Sequence, residues 1–407
     1  MGRHRATRPA SLGAVVLAAL LGGAFAGFLA SVFIWLVDGG TDLLWTELPD
    51  RVGVEPYGTW WMFAVPIVGG ALVGLGQRFL GNYPRPIDEA MATWKAGGHL
   101  DPRTVPKTVV NSLVALVFGG PVGFEAALTG LLGGTATLIS TQLHRAGRFV
   151  RQAWGAERIE AVPHAVQVLP FYLAALAGLF TYKALPFGTI DVAFRFAPNR
   201  EVMGADDAVV VALFAALVTV PIAWATVAIH RAEAATLFRR SPVVIGMAGG
   251  LLFATLALGN DAVLFSGQGS IQDLGGVAIA SLLYLTVAKV AALVIAYLAG
   301  WRGGPVFPCF LAVAALATAV SAGVGTSPDL VMIGGIAAVS SVFLKGRIPA
   351  AFLLSLYVVP LSYAGVILVG AAAAAAALAL GASLGIVPTP EAPPDPEGAP
   401  PTGTATT

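Results

Sequence analysis

Apolar runs broken by glycine and proline fill the chain from about residue 10 to residue 387. The runs over about 10–37, 59–80, 207–229, 277–299 and 306–326 reach the roughly 20 residues that a helix needs to cross a bilayer, and predict spanning helices. Those over 108–118, 165–180 and 184–196 are too short to cross alone. Shorter runs also lie over 126–143, 242–258 and 330–344, and the Ala-rich run 348–385 predicts more than one helix. Uneven, interrupted runs of this kind predict broken, tilted helices lining a cavity rather than a simple serpentine bundle. The fold class expected is all-α: a polytopic integral membrane protein.

Two breaks are near copies of each other. Phe118-Gly119-Gly120-Pro121-Val122-Gly123-Phe124-Glu125 and Arg302-Gly303-Gly304-Pro305-Val306-Phe307-Pro308 share a Gly-Gly-Pro-Val core, and Gly303 stands 184 residues after Gly119. Glycine and proline there should end one helix and start the next. A helix that starts at membrane depth turns bare N–H groups and a partial positive charge into the interior, which suits an anion. Residues 242–258 also resemble 64–80; both runs end in Leu-Gly-Asn, with Asn260 178 residues after Asn82. This weak repeat predicts two inverted-topology halves, about 10–205 and 206–387, within a membrane domain over 10–387. Residues 1–9 are expected to be a cytoplasmic N-terminal segment, and 388–407, rich in Pro, Thr, Ala and Gly, a disordered tail. The starts of the runs at 123–126 and 305–307 should converge in space. Small-xxx-small pairs such as Gly70 with Gly74 and Gly246 with Gly250 suit close helix packing.

Composition narrows the function. Charged residues make up 11% of the chain against about 25% in soluble proteins, and mean hydropathy is +0.81. A net charge of +1 gives no sign of nucleic acid as a partner. Arg3, Arg5 and Arg8 place the start of the chain in the cytoplasm, and the loop expected after the first helix, with Asp38, Asp42, Glu47 and Asp50, suits the outside. Cys309 is the only cysteine and the five histidines are scattered, so neither a disulfide nor a metal site is expected. Two enzyme motifs are absent: there is no His-Glu-x-x-His and no phosphate-binding glycine loop. No enzymatic activity and no cofactor are expected.

Glu125 is the most informative side chain. A carboxylate between Gly123-Phe124 and Ala126-Ala127-Leu128, far from any polar loop, is costly to bury and so points to function. At a helix N-terminus it would compete with a permeant anion for the same N–H donors, and protonation would release it, which makes a gate. The alternative is a helix cap in a packed interface. Lys289, in an apolar run before the second block, and Lys107, at the start of the equivalent run, either draw anions by their field or snorkel to the interface. Arg302, beside the second glycine pair, either attracts anions at a vestibule or faces lipid phosphate.

These motifs resemble those of the CLC family of chloride channels and chloride–proton antiporters, which carries Gly-x-Glu-Gly-Pro in its first half and Gly-Gly-x-Phe-x-Pro in its second. Gly123-Phe124-Glu125 matches the first in Gly and Glu, and Gly303 to Pro308 matches the second in Gly-Gly and Pro, with Val306 in the Phe place. Trp301 to Pro308 and residues 43–49 also look like a divergent bacterial branch, the YfeO-type ion-transport proteins. The resemblance implies a multi-pass protein of the bacterial plasma membrane, a homodimer with a pore in each subunit, and transport of chloride or another small anion such as fluoride. It implies anion binding by the backbone at Gly123, Phe124, Glu125, Val306 and Phe307, with Glu125 as the gate. The family's pore serine falls near Asn82 to Pro86, where there is no serine. Its inner proton-loading glutamate falls near Arg195-Phe196, where there is no acid, so proton coupling is expected to be weak or absent. Outside transport, a non-transporting membrane scaffold is the alternative; such a protein has no need of a buried acid at a helix start.

Overall fold

The computed structural model describes residues 12–86, 89–90, 93, 101–132, 173–174, 176–178, 180–182, 184–185, 203–235 and 240–387. The expected N-terminal segment, the tail and the Arg195-Phe196 position lie outside the described residues. Among the described residues helix is the regular structure, and the one β-type pairing is an isolated bridge.

The chain opens with α1 (Leu12–Asp42), which carries no charge before Asp38 and runs on through a π-helical turn (Leu43–Glu47) into α2 (Leu48–Val52). Residues 43–52 are therefore helical, where the acidic residues predict a loop. Trp45 explains this: it is buried, and its indole Nε1 donates to the Val117 carbonyl at 3.0 Å, which holds the extension against the body. Gly53, at φ 68°, ends it in a left-handed C-cap. Helix α3 spans Trp61–Phe79 and α4 spans Val105–Val117; the latter starts ahead of the predicted 108–118, with proline in its first turn. After the first glycine block a helix begins at residue 125 and is described to 132; we call it α5.

The second half repeats these parts. Helix α6 (Ala205–Ala234) starts with Asp206 and Asp207 against its positive end, and the Gly204 N–H donates to Asp207. Then come α7 (Pro242–Ala257), 3-10 turns at Asp261–Val263 and Gly269–Leu274, and α8 (Ile279–Leu298). The second glycine block leads into α9 (Val306–Val324), and α10 (Pro328–Phe343), α11 (Ile348–Leu356) and α12 (Ala364–Ser383) follow. The break at 357–363 divides the Ala-rich run in two, as predicted.

Among the described residues, six helical stretches are long and apolar enough to cross a membrane, while α7 and α10 are shorter apolar helices. Counterpart helices α3 and α7 pack on each other through their glycines. A Cβ on Gly70 would strike the Gly246 carbonyl, and one on Gly246 would strike Gly70 in return. Gly74 meets Pro242 and Val243, and Gly250 meets Pro66, so both small-residue pairs serve close backbone approach. At the centre lie α9 and α10, buried along nearly their whole length.

Candidate functional site

The two glycine blocks meet at the middle of the molecule. Gly123 and Gly304 form an antiparallel bridge, each N–H donating to the other's carbonyl at 2.6 Å. The expected convergence is thus direct contact. Each block ends a helix with a tight turn: the Gly120 N–H returns to Ala115 and the Trp301 N–H returns to Ala296, both at 2.9 Å. Gly119 has φ 84° and Gly300 has φ 80°, values open to glycine and strained for a residue with a Cβ. The broken helices α5 and α9 then start side by side.

Glu125 reaches across this junction. It stands in the first turn of α5, yet its Oε1 accepts the Phe307 N–H of α9 at 2.7 Å. The N–H groups of Val306 and of Glu125 itself also turn favourable dipoles toward the carboxylate. Oε2 is fully enclosed and has no hydrogen-bond partner among the described residues, although the residue as a whole is only half-buried. A Cβ placed on either Gly123 or Gly304 would run into this carboxylate. Both bridging glycines therefore make room for it, a local reason for the glycines in each block. Around it, the Phe124 and Phe307 rings lie 4.9 Å apart, Val306 is buried, and the Tyr297 hydroxyl donates to the Gly303 carbonyl at 2.6 Å. An acid and the amide end of an opposing helix thus meet at one point, the arrangement in which a carboxylate and a small anion would exchange for the same donors.

The candidate cations stand elsewhere. Lys289 neither snorkels nor faces open space. Its side chain is fully buried, and Nζ donates to the carbonyls of Ala262, Val263, Leu264 and Phe265 at 2.7–3.0 Å. Arg302 is 2% exposed, which corrects the expectation of a vestibule or phosphate-facing arginine. Its Nε donates to Asn82 Oδ1 at 2.7 Å, and its guanidinium pairs with Glu233 Oε1 at 3.1 Å. Burial explains the pairing, because an enclosed guanidinium needs a counter-charge. Lys107 is exposed in the first turn of α4, with its ammonium over the Tyr83 ring at 5.6 Å. Cys309 is buried in the first turn of α9 as a packed small residue.

Sequence reasoning missed Glu233, Asn82, Asn111 and Trp45. The duplicated Leu-Gly-Asn mark was the available signal for Asn82, and the resemblance over residues 43–49 the signal for Trp45; neither points to Asn111 or Glu233. No group of three or more metal-binding side chains occurs among the described residues.

A helical membrane bundle in which two broken helices start against each other, with a carboxylate lodged between them, defines a membrane transport protein of the CLC architecture. The model of the voltage gated chloride channel family matches residues 155–381, and the chain belongs to that family. The match takes in the second glycine block, Lys289, Arg302 and Glu233; Glu125 lies before it. Membership places the chain among membrane proteins that carry anions. Similar curated proteins include "Putative ion-transport protein YfeO" of Salmonella choleraesuis (strain SC-B67), 25% identical over 320 residues, covering 71% of this chain and 76% of the relative. The protein of the same name from Shigella flexneri is 25% identical over 298 residues, covering 66% and 69%. Among solved structures, a slow cyanobacterial Cl-/H+ antiporter superposes with a TM-score of 0.71 at 15% identity, over 90% of this chain and 95% of the other. A CLC-type fluoride/proton antiporter gives 0.63 at 17% identity, over 91% and 96%. At such identities these likenesses speak for the fold.

Proposed function

We propose that this protein carries chloride across a bacterial plasma membrane, with Glu125 as its gate and a homodimer as its working form. The observation that carries the reading is the Glu125 carboxylate bonded to the Phe307 N–H at 2.7 Å: a negative group already occupies the amide end of α9. The anion would be held by backbone N–H groups at Gly123, Phe124, Glu125, Val306 and Phe307, in the space the carboxylate leaves when it is protonated. Fluoride is the second reading, favoured by one finding: a fluoride/proton antiporter shares the fold over 91% of this chain. The reaction is passage of an ion, with no bond made or broken, so no enzymatic step is assigned.

The test is anion efflux from liposomes holding the purified chain, measured for chloride, fluoride and nitrate at equal protein. Faster efflux of chloride than of fluoride supports the primary reading. A reversed order supports fluoride, and no efflux above protein-free liposomes for any of them removes the transport reading.

A further inference from the structure

We infer that Asn111 and Lys289 are the two jaws of a crossed clamp that sets the spacing of the two glycine turns, each jaw acting on the turn of the opposite half. Lys289 stands 178 residues after Asn111, the same offset that separates the two Leu-Gly-Asn asparagines, Asn82 and Asn260. Asn111 lies on α4 and Lys289 on α8, the helices that run into the first and second glycine blocks. The two residues therefore occupy equivalent places in the repeat.

They also perform the same act. Asn111 Nδ2 donates to the carbonyls of Gly81 and Tyr83, both at 3.1 Å, in the loop that follows the first Leu-Gly. Lys289 Nζ donates to four carbonyls, those of residues 262–265, in the segment after the second Leu-Gly-Asn. That segment is tied again two turns earlier on α8, where Asn260 Nδ2 donates to Ser281 Oγ at 3.1 Å. Three ammonium protons shared among four carbonyls give a fully buried charge its only described hydrogen bonds. A charge so placed is retained at a cost in desolvation, which asks for a purpose beyond packing.

Each clamped loop then crosses to the other half. Phe265, held by Lys289, donates its N–H to the Gly119 carbonyl of the first block at 3.2 Å, and its ring meets Trp45 edge-on at 5.1 Å. Phe265 has φ 58°, a conformation a phenylalanine keeps only when its surroundings enforce it, and the Lys289 cradle enforces it. In the other direction Asn82, in the loop held by Asn111, accepts from Arg302 Nε at 2.7 Å beside the second block. Gln77, just upstream, donates to the Gly300 carbonyl at 2.9 Å. The second half thus fixes the first turn, and the first half fixes the second. Because Glu125 starts from one turn and the Phe307 N–H that donates to it lies beyond the other, the clamp sets the width of the gap between them. Asn111 and Lys289 are positioning residues for the anion proposed above, and their bearing on selectivity rests on that reading.

Hydrogen–deuterium exchange of the full chain in lipid nanodiscs separates this from ordinary loss of packing. Lys289→Met should speed exchange at least about tenfold at Gly119, Gly120 and Val122, and leave Gly300, Trp301 and Gly303 within about twofold of the wild type. Asn111→Leu should do the reverse. Leu293→Ala, a buried change on α8 outside the clamp, serves as the control for general destabilisation. Should Lys289→Met fail to accumulate, the neutral Asn111→Leu decides alone. The clamp is overturned if the variants loosen both turns alike, or each only its own half's turn. In parallel, the ratio of fluoride to nitrate dissociation constants, by calorimetry, should shift at least about fivefold in each variant. Crossed exchange with a wild type that binds no anion would sink the anion reading and keep the clamp. Crossed exchange with binding but an unchanged ratio would overturn the positioning role.

Discussion

Replacing Glu125 with glutamine keeps the shape of the side chain and removes its charge. In the structure its Oε1 takes the Phe307 N–H at 2.7 Å, a charge-assisted bond of about 1.5–3 kcal/mol, whereas an amide oxygen in that place is worth about 0.5–1.5 kcal/mol. The difference, about 1–1.5 kcal/mol, is what the native carboxylate gains over glutamine in competing with an incoming anion for that donor. At 1.4 kcal/mol per factor of ten, anion affinity in Glu125→Gln should rise about five- to twelvefold at neutral pH. The sign with pH follows from the same competition. On the proposed gate, the ionised side chain blocks the amide end of α9 and the protonated one loses the charge-assisted bond and withdraws, so flux should rise as external pH falls. Glu125→Gln mimics the protonated form at every pH, so its curve should lie high and flat. Flux is measured against external pH from liposomes at equal protein. A glutamine variant that keeps the wild-type pH dependence refutes the gate. If the acid merely capped a helix, its loss would lower stability by about 0.5–2 kcal/mol and leave the shape of the flux curve untouched.

Other expectations can be checked one at a time. Gly119→Ala puts a Cβ at φ 84° against the Trp45 ring, so it should lower the melting temperature and cost more than the ~1–2 kcal/mol of left-handed strain alone, read by thermal unfolding in detergent. Arg302→Gln should destabilise by up to about 3–5 kcal/mol because it removes the guanidinium paired with Glu233, leaving His230 at 4.0 Å as a remaining partner of that acid, whereas the double change Arg302→Met with Glu233→Leu should cost less than the sum of the single changes; denaturant unfolding and a double-mutant cycle decide. A chloride gradient should drive little or no proton uptake into liposomes, since the sequence has no acid at Arg195-Phe196; uptake at a fixed stoichiometry would show that such an acid is dispensable.

Much of the fold was legible because membrane helices write themselves as apolar runs. The run expected over 277–299 is α8 at Ile279–Leu298, and that over 306–326 is α9 at Val306–Val324. The glycine blocks announced two broken helices, and a lone carboxylate between glycines announced the junction, since burial of an acid is too costly to be incidental. What stayed hidden were contacts between a side chain and a distant backbone or counter-charge. Trp45 answers Val117 across 72 positions, and Arg302 answers Glu233 across 69. Hydropathy carries no record of such pairs: Trp45 reads as loop because acidic residues surround it, and Arg302 reads as interfacial because arginine in a membrane usually is. The Asn111 and Lys289 clamp was in principle visible, because its offset equals that of the Leu-Gly-Asn marks. Asparagine and lysine at one repeat position look unrelated until their shared partners, loop carbonyls, are known.

The balance of charge around the junction bears on how an anion would be attracted. Arg302 is answered by Glu233, with Asn82 taking a further donor. Lys289 spends its ammonium on four carbonyls, whose dipoles oppose its field in the direction of the loop. Neither cation touches the carboxylate of Glu125, which meets backbone N–H groups instead. An anion replacing that carboxylate would likewise be held by amide dipoles at the starts of α5 and α9, which are fixed by the fold and need no reorganisation when the ion arrives. Partial charges hold an ion less firmly than a full counter-ion would, and a site that must release its ion to either side of the membrane is served by that weaker grip. On this reading the buried cations act through geometry: they hold the turns that aim the dipoles, and Glu125 alone carries the charge that opens and closes the way.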